Sequence, residues 1–145
     1  MKFLFDTNIV IHYLKEDETM KKIKIEFDPF GFGNESWLSV VTIGEMRSIA
    51  KANKWGDKRI QALSEFLKQF LVSDLYHEEI LEKYAEIEAF SQCRLPEIGM
   101  PASPRNMGKN DLWIAATAAV LNAKLLTTDK DFDHLDSVFI NLKRY

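Results

Sequence analysis

The hydrophobic and polar positions of the chain follow two alternating patterns. Short apolar runs at 2–6, 37–41, 124–127 and 138–140 are typical of buried strands, and Val72 fits a further short strand. Between them, apolar residues recur at helical spacing and predict helices over about 7–14, 19–27, 42–53, 57–70, 77–91 and 110–122, with a helical turn over 131–135. This alternation predicts an α/β fold with a central, mostly parallel sheet flanked by helices.

One segment between two predicted helices shows neither pattern. Residues 92–109 contain Pro96, Gly99, Pro101, Pro104 and Gly108, which interrupt regular structure. Irregular segments longer than about 12–15 residues are uncommon in compact domains and often carry function. This segment is therefore a candidate functional loop.

Length and composition restrict the class of protein. The chain has 145 residues, 46% hydrophobic and 28% charged, which predicts a single globular domain over residues 1–145. No apolar run reaches the roughly 18 residues that span a bilayer and no signal peptide is visible, so we expect a soluble cytoplasmic protein. Cys93 is the only cysteine, so no intrachain disulfide is possible, which fits a reducing compartment.

The histidines and the charge balance narrow the chemistry. His12, His77 and His134 lie far apart and near no cysteine pair, so a zinc site has little support. The net charge of −3 argues against nucleic-acid binding by bulk electrostatics, so any nucleic-acid chemistry must be local. Solvated surface is the simpler interpretation of two sets of basic residues. These are Lys51, Lys54, Lys58 and Arg59, and Arg105, Lys109, Lys143 and Arg144.

Four acidic residues lie at the ends of predicted strands or in first helical turns: Asp6 in FLFDTN, Glu45 in SVVTIGEM, Asp111 in GKNDLWIAATA and Asp129 in LLTTDKDF. Asp6 and Asp129 follow apolar strands. Glu45 lies one helical turn beyond the second strand, and Asp111 opens a strongly apolar helix. Because ligands of parallel α/β sheets bind beyond the carboxyl ends of the strands, the four carboxylates are placed where they can converge.

Each acid also has a purely structural interpretation. Asp6 is a suitable N-cap for the first helix, and Thr42 with Glu45 matches a capping box. The helix macrodipole favours Asp111 by about 0.3–1 kcal/mol, and Asp129 suits a turn. The sequence leaves both interpretations open for each residue taken alone.

The four motifs resemble, in order and over nearly the whole chain, those of the PIN domain, and within that family the VapC-like toxins of toxin–antitoxin pairs. The resemblance implies a PIN-like α/β/α sandwich and a metal-dependent endoribonuclease. Six residues match the family's site in this sequence. Asp6, Glu45, Asp111 and Asp129 take the places of its acidic cluster, and Asn8 and Thr128 those of auxiliary residues.

Two positions depart from the family pattern or vary within it. The basic residue before NDLW is Lys109, where similar proteins often carry arginine. The fourth acidic position varies within the family, and Asp131 and Asp133 lie close to it. The spacing to the neighbouring motif residues favours Asp129.

The implied site is chemically coherent. Carboxylates within a few ångströms repel one another, and some are protonated near neutral pH unless a cation is present. Ligand sets made only of oxygen select Mg²⁺ or Mn²⁺ over zinc, and such ions assist phosphodiester hydrolysis. We assign Asp6 and Asp111 as principal ligands. Glu45 is a ligand or a water-orienting base, and Asp129 a second-metal or water-mediated ligand.

The resemblance also implies partners. RNA is the expected substrate, with Arg105, Lys109 or Lys130 holding its backbone beside the acids. Similarity to VapC implies a homodimer and a VapB-like antitoxin whose C-terminal segment covers the acidic pocket. Five aromatic residues suit an interface or complete the core, and both interpretations stay open. They are Phe27, Phe30, Phe32, Trp37 and Trp55.

Other functions are less well supported. A phosphotransferase of the haloacid dehalogenase type needs a second acid two residues after the first, and that position is Asn8. A serine hydrolase lacks support because no G-x-S-x-G motif is present. The main alternatives are an inactive PIN-fold scaffold and a PIN nuclease of RNA processing that is not a toxin.

Overall fold

All 145 residues are described by the computed structural model, which contains a single five-stranded sheet. The strands are β1 (Lys2–Phe5), β2 (Glu35–Ser39), β3 (Leu71–Ser73), β4 (Lys124–Thr127) and β5 (Asn141–Arg144). Every neighbouring pair is parallel, and the order is β3-β2-β1-β4-β5. The central strand β1 aligns Leu4 with Trp37 of β2 and with Leu125 of β4. The predicted α/β fold with a parallel sheet is confirmed.

Six α-helices and one 3₁₀ helix connect the strands. They are α1 (Thr7–Lys15), α2 (Glu18–Phe27), α3 (Val40–Ala52), α4 (Asp57–Leu67), α5 (Glu78–Ser91), α6 (Lys109–Leu121) and the 3₁₀ helix Lys130–Leu135. None of the helices combines the length and the apolarity needed to cross a membrane. The stretch between α5 and α6 contains no helix or strand, as its proline and glycine content predicts.

The two faces of the sheet carry separate cores because successive strand residues point to opposite sides. Leu4 and Leu125 pack with α5, α6 and the 3₁₀ helix on one face. Phe3, Phe5 and Leu126 pack with α1 to α4 on the other. Helices therefore cover both faces of the sheet, which produces a three-layer sandwich, and the strands bury mainly apolar residues with a few polar ones such as Ser39 and Thr127.

The helix that carries Glu45 begins earlier than predicted. α3 starts at Val40, and Ser39 is its N-cap, with the Ser39 hydroxyl accepting a hydrogen bond from the backbone N–H of Val41 at 3.2 Å. The two valines resemble strand residues, but the serine cap favours a helix there. Thr42 lies inside α3 and is no cap, so the capping box of Thr42 and Glu45 does not form.

The last strand also differs from the prediction. Residues 138–140 form a turn, because the backbone N–H groups of Val138, Phe139 and Ile140 all donate to the carbonyl of Leu135. Phe139 and Ile140 pack against the core while Val138 is exposed, and the Phe139 ring lies 5.1 Å from that of Phe90. The strand follows it as β5, a polar edge strand. α4 likewise ends at Leu67 rather than near position 70.

Most of the aromatic residues considered for an interface complete the core. Phe27, Phe30 and Trp55 pack against the α1–α4 side, and Trp37 packs against the opposite side. Only Phe32 is fully exposed.

Candidate active site

Asp6 lies at the centre of the sheet edge, directly after β1. Its side chain is only 4% exposed. One carboxylate oxygen accepts a hydrogen bond from the Thr7 backbone N–H at 2.7 Å and so caps α1. The other accepts from the Thr127 hydroxyl, on the neighbouring strand β4, at 2.6 Å. Asp6 is therefore a cap, and it is also fixed in orientation by the strand beside it.

Glu45 belongs to the same hydrogen-bond network. Its carboxylate accepts a hydrogen bond from the Thr7 hydroxyl at 2.8 Å, which links α3 to the start of α1. Glu45 also lines an open groove of about 460 Å³ with Val41, Gly44, Ser48, Ile49 and Asn110. Thr7 thus ties two of the predicted site acids together, one through its backbone and one through its side chain.

Three further acids meet beside this pair. Carboxylate oxygens of Asp111, Asp129 and Asp131 all lie within 4.8 Å of one another. Asp111 is in the first turn of α6, and Asp129 is the N-cap of the 3₁₀ helix, where it accepts from the Asp131 backbone N–H at 2.9 Å. We call Asp6, Glu45 and these three residues the acidic cluster.

The charges of the acidic cluster act on one another. Burial raises the pKa of Asp6, and the charges of Glu45 and Asp129 raise it further, although two hydrogen bonds oppose this. Burial also raises the pKa of Asp111, to about 6, with added repulsion from its acidic neighbours. None of the five carboxylates forms an ion pair with a basic side chain, and all of their donor atoms are oxygen, so the set fits a hard divalent cation.

The predicted auxiliary and substrate-binding residues are less engaged. Asn8 is exposed, Thr128 is half-buried, and neither side chain makes a hydrogen bond to the acidic cluster. Arg105 lines a small pocket that also contains Asp131. Lys109 forms an ion pair with Glu88 at 3.0 Å, and Lys130 is exposed at the start of the 3₁₀ helix.

Sequence reasoning missed two members of the site. The sequence spacing favours Asp129 over Asp131, yet both carboxylates contribute to the cluster, because Asp129 is the N-cap of the 3₁₀ helix and its carboxylate accepts a hydrogen bond from the Asp131 backbone N–H. Thr127, rather than Thr128, bonds to Asp6. The end of the strand is the signal that distinguishes these two threonines, since Thr127 is the last residue of β4, which pairs with β1, and Thr128 lies beyond it.

The Thr127 hydrogen bonds predict a measurable stability effect. Thr127→Val removes the donor to the buried Asp6 carboxylate and the acceptor of the Asp129 N–H. Leaving buried polar groups unpaired costs about 1–3 kcal/mol, so we expect urea unfolding in chelator to show a loss of that size. Thr128→Val is the matched control, and its effect should stay within about 0.5 kcal/mol. Equal losses in both variants would contradict this role for Thr127.

Comparisons with known proteins show the family and the fold of the chain. A family model of the PIN domain matches residues 3–138. VapBC2 from Rickettsia felis, solved with a fragment of promoter DNA, is 20% identical and matches with a TM-score of 0.73, covering 100% of this chain and 99% of that chain. VapBC-1 from nontypeable Haemophilus influenzae is 24% identical, with a TM-score of 0.72 and coverage of 99% and 98%.

A third structure extends the comparison. VapBC-5 from Mycobacterium tuberculosis, a member of the VapBC family of toxin–antitoxin systems, is 26% identical with a TM-score of 0.65, covering 99% of this chain and 98% of that chain. A search of curated protein sequences gives no significant match. The family model, which spans most of the sequence, shows that the chain belongs to the PIN domain family. Within that family it is a VapC-like PIN domain.

Proposed function

We propose that the protein is a cytoplasmic, Mg²⁺- or Mn²⁺-dependent endoribonuclease and the toxin of a VapBC-type toxin–antitoxin pair. The observation that carries this proposal is the meeting of Asp111, Asp129 and Asp131 within 4.8 Å, beside the buried Asp6, in a chain of the PIN family. PIN family membership supports nuclease chemistry, and likeness to solved VapBC complexes supports the toxin assignment.

The acidic cluster would divide the work of holding the cation. Asp6 and Asp111 are the principal ligands, because two hydrogen bonds fix the first, and the second is partly buried and repelled by the other four acids. Asp129 and Asp131 face the same cation from the 3₁₀ helix, directly or through water. When bound, Mg²⁺ or Mn²⁺ supplies a Lewis acid that lowers the pKa of water and offsets charge on the phosphate.

The remaining residues position the substrate and the proton. Glu45 is held by the Thr7 hydroxyl and borders the open groove, so it can orient a water molecule and accept its proton. Arg105 and Lys130 flank the cluster and can contact the RNA phosphates. Lys109 would first have to leave its ion pair with Glu88. Because the Lys109 side chain is 72% exposed, this ion pair is weak.

The test is a cleavage assay with purified protein and a panel of transfer, ribosomal and messenger RNA. We expect cleavage with Mn²⁺ or Mg²⁺, none with chelator, and none from Asp129→Asn or Asp131→Asn. Asp133→Asn is the matched control, because Asp133 lies outside the cluster and pairs with Arg144 at 2.8 Å. Absence of metal-dependent cleavage across the panel would identify an inactive PIN scaffold instead.

The toxin proposal makes a separate prediction about assembly. We expect a homodimer that also binds an antitoxin encoded beside this gene, with the exposed Phe32 available to such contacts. Light scattering at tens of micromolar should give the mass of two chains, and added antitoxin should increase it and inhibit cleavage. A monomer that does not respond to the antitoxin would contradict this assembly.

A further inference from the structure

A patch of basic residues surrounds a small apolar pocket at the junction of α3 and α4. The pocket, of about 350 Å³, has Ala50, Trp55, Ile60 and Leu63 in its apolar part. Arg47, Lys51 and Lys54 also line it, and the Arg59 guanidinium lies 3.8 Å from the centre of the Trp55 ring. We call Arg47, Lys51, Lys54 and Arg59, together with Trp55, the basic patch.

The charge of the basic patch is uncompensated. All four cationic side chains are exposed, and none of them forms an ion pair with a carboxylate. The protein as a whole has a net charge of −3, and several of its other lysines are paired with acids. Four unpaired cations around one pocket therefore form a local positive field against an acidic background.

The basic patch is connected to the acidic cluster by one row of α3. Glu45, Ser48 and Lys51 are spaced three residues apart on α3, and this spacing forms a continuous ridge on the helix surface, while Lys54 lies in the turn just after the helix. Ser48 lines the groove that contains Glu45, and Lys51 lines the apolar pocket. With a rise of 1.5 Å per residue, the axial distance from Glu45 to Lys51 is about 9 Å.

We propose that the basic patch holds a single-stranded segment of the RNA substrate next to the cleaved bond. This rests on the proposed function, because it names a second contact for the same substrate. Phosphates contact the cations, and an unstacked base enters the apolar pocket beside Trp55. The ridge of α3 carries the strand from this pocket to the acidic cluster.

RNA fits this combination better than an acidic protein segment does. Single-stranded nucleic acid presents phosphates and flat aromatic bases side by side, and binding surfaces for it combine cations with aromatic rings. Lysine and arginine side chains beside an apolar pocket that includes the half-buried Trp55 match both parts. Carboxylate side chains of a protein would satisfy the cations but leave the pocket unfilled.

The test measures RNA binding without cleavage. Fluorescence anisotropy of a labelled single-stranded RNA oligonucleotide is recorded in chelator for the wild type and for Lys51→Gln/Lys54→Gln. We expect the variant to bind RNA at least about tenfold more weakly than the wild type. The plot of log K against log salt should also become less steep, by about 1.4 for two lost phosphate contacts. The control variant, Lys2→Gln/Lys22→Gln, removes the same charge from two exposed, unpaired lysines outside the basic patch, and it should bind RNA like the wild type.

The outcomes separate this proposal from the proposed function. Equal RNA binding by the two double variants, or no RNA binding by the wild type, overturns the basic patch as an RNA site. The same measurement is made with a labelled polyglutamate peptide. If Lys51→Gln/Lys54→Gln weakens binding of this peptide but not of RNA, the patch is a site for an acidic protein partner and the proposal is overturned. RNA binding that depends on the patch in a protein without nuclease activity supports the patch and refutes the nuclease. Arg59→Gln provides an independent variant if α3 is perturbed by the first pair.

Discussion

Asp6→Asn is expected to leave a folded protein that has lost at least about a hundredfold of its metal-dependent RNA cleavage. Changes to residues that only support a metal ligand typically cost 10–100-fold, so loss of a direct ligand should cost no less. Asparagine retains the carbonyl oxygen that caps the Thr7 N–H, and it caps helices about as well as aspartate. The variant loses the negative charge that a hard cation needs, and its amide NH₂ can donate to the Thr127 hydroxyl, which donates to Asp6 in the wild type.

The stability of this variant separates a ligand from a cap. Burial and the charges of Glu45 and Asp129 raise the pKa of Asp6, so its ionised form is unfavourable in the metal-free protein. Without metal, Asp6→Asn should therefore be at least as stable as the wild type by urea unfolding. Wild-type cleavage rates in Asp6→Asn at saturating Mn²⁺, with contaminating nuclease excluded, would show that Asp6 serves as a cap alone.

The topology of the sheet explains why much of the site is visible in the sequence. β1 is central, with β2 on one side and β4 on the other, so the residues that follow these three strands must meet at one edge. Apolar strands followed by an acid, directly at Asp6 and after two threonines at Asp129, mark that edge without any knowledge of side-chain contacts. Asp111 was recognisable because it borders a helix that is buried along most of its length.

Local hydrogen bonding decides the parts that the sequence does not reveal. Val40 and Val41 favour a strand by their side chains. The Ser39 hydroxyl nevertheless caps α3, so the helix begins at Val40, two residues before the predicted start. Val138 and Ile140 also have side chains that favour a strand. Their backbone N–H groups nevertheless both donate to the carbonyl of Leu135, which forms a turn. In both places a single polar group outweighs the β propensity of its neighbours.

The position of Asp131 in the site depends on a conformation rather than on a pattern. In a regular strand, residues two apart share a face, whereas in an α-helix they do not. Asp129 precedes the 3₁₀ helix as its N-cap and accepts the Asp131 N–H, and in this conformation the Asp129 and Asp131 carboxylates lie within 4.8 Å of each other and of Asp111. Choosing Asp129 alone by its spacing in the sequence therefore leaves out Asp131, which the fold places in the same cluster.

Mn²⁺ is expected to stabilise the native protein strongly, because only the folded chain brings the acidic cluster together. At a free concentration a hundredfold above the dissociation constant, one bound ion adds about 2.7 kcal/mol, which for a chain of this size raises the melting temperature by about 5–10 °C. Calorimetry or fluorescence melting with Mn²⁺ and with chelator measures this shift. Asp133→Asn should retain it, and Asp111→Asn should lose most of it.

The shift should also depend on pH, with a sign set by Asp111. Its pKa of about 6 in the folded protein lies above the ordinary value of 3.8, so the proton bound in this interval stabilises the metal-free fold. That contribution is fully present below the ordinary value and is lost as the pH rises through about 6. Mn²⁺ must displace the same proton, so its stabilising effect should be clearly larger at a pH of about 7.5 than at about 5. A melting temperature that Mn²⁺ leaves unchanged at both values would mean that the carboxylates do not bind a cation in the folded protein.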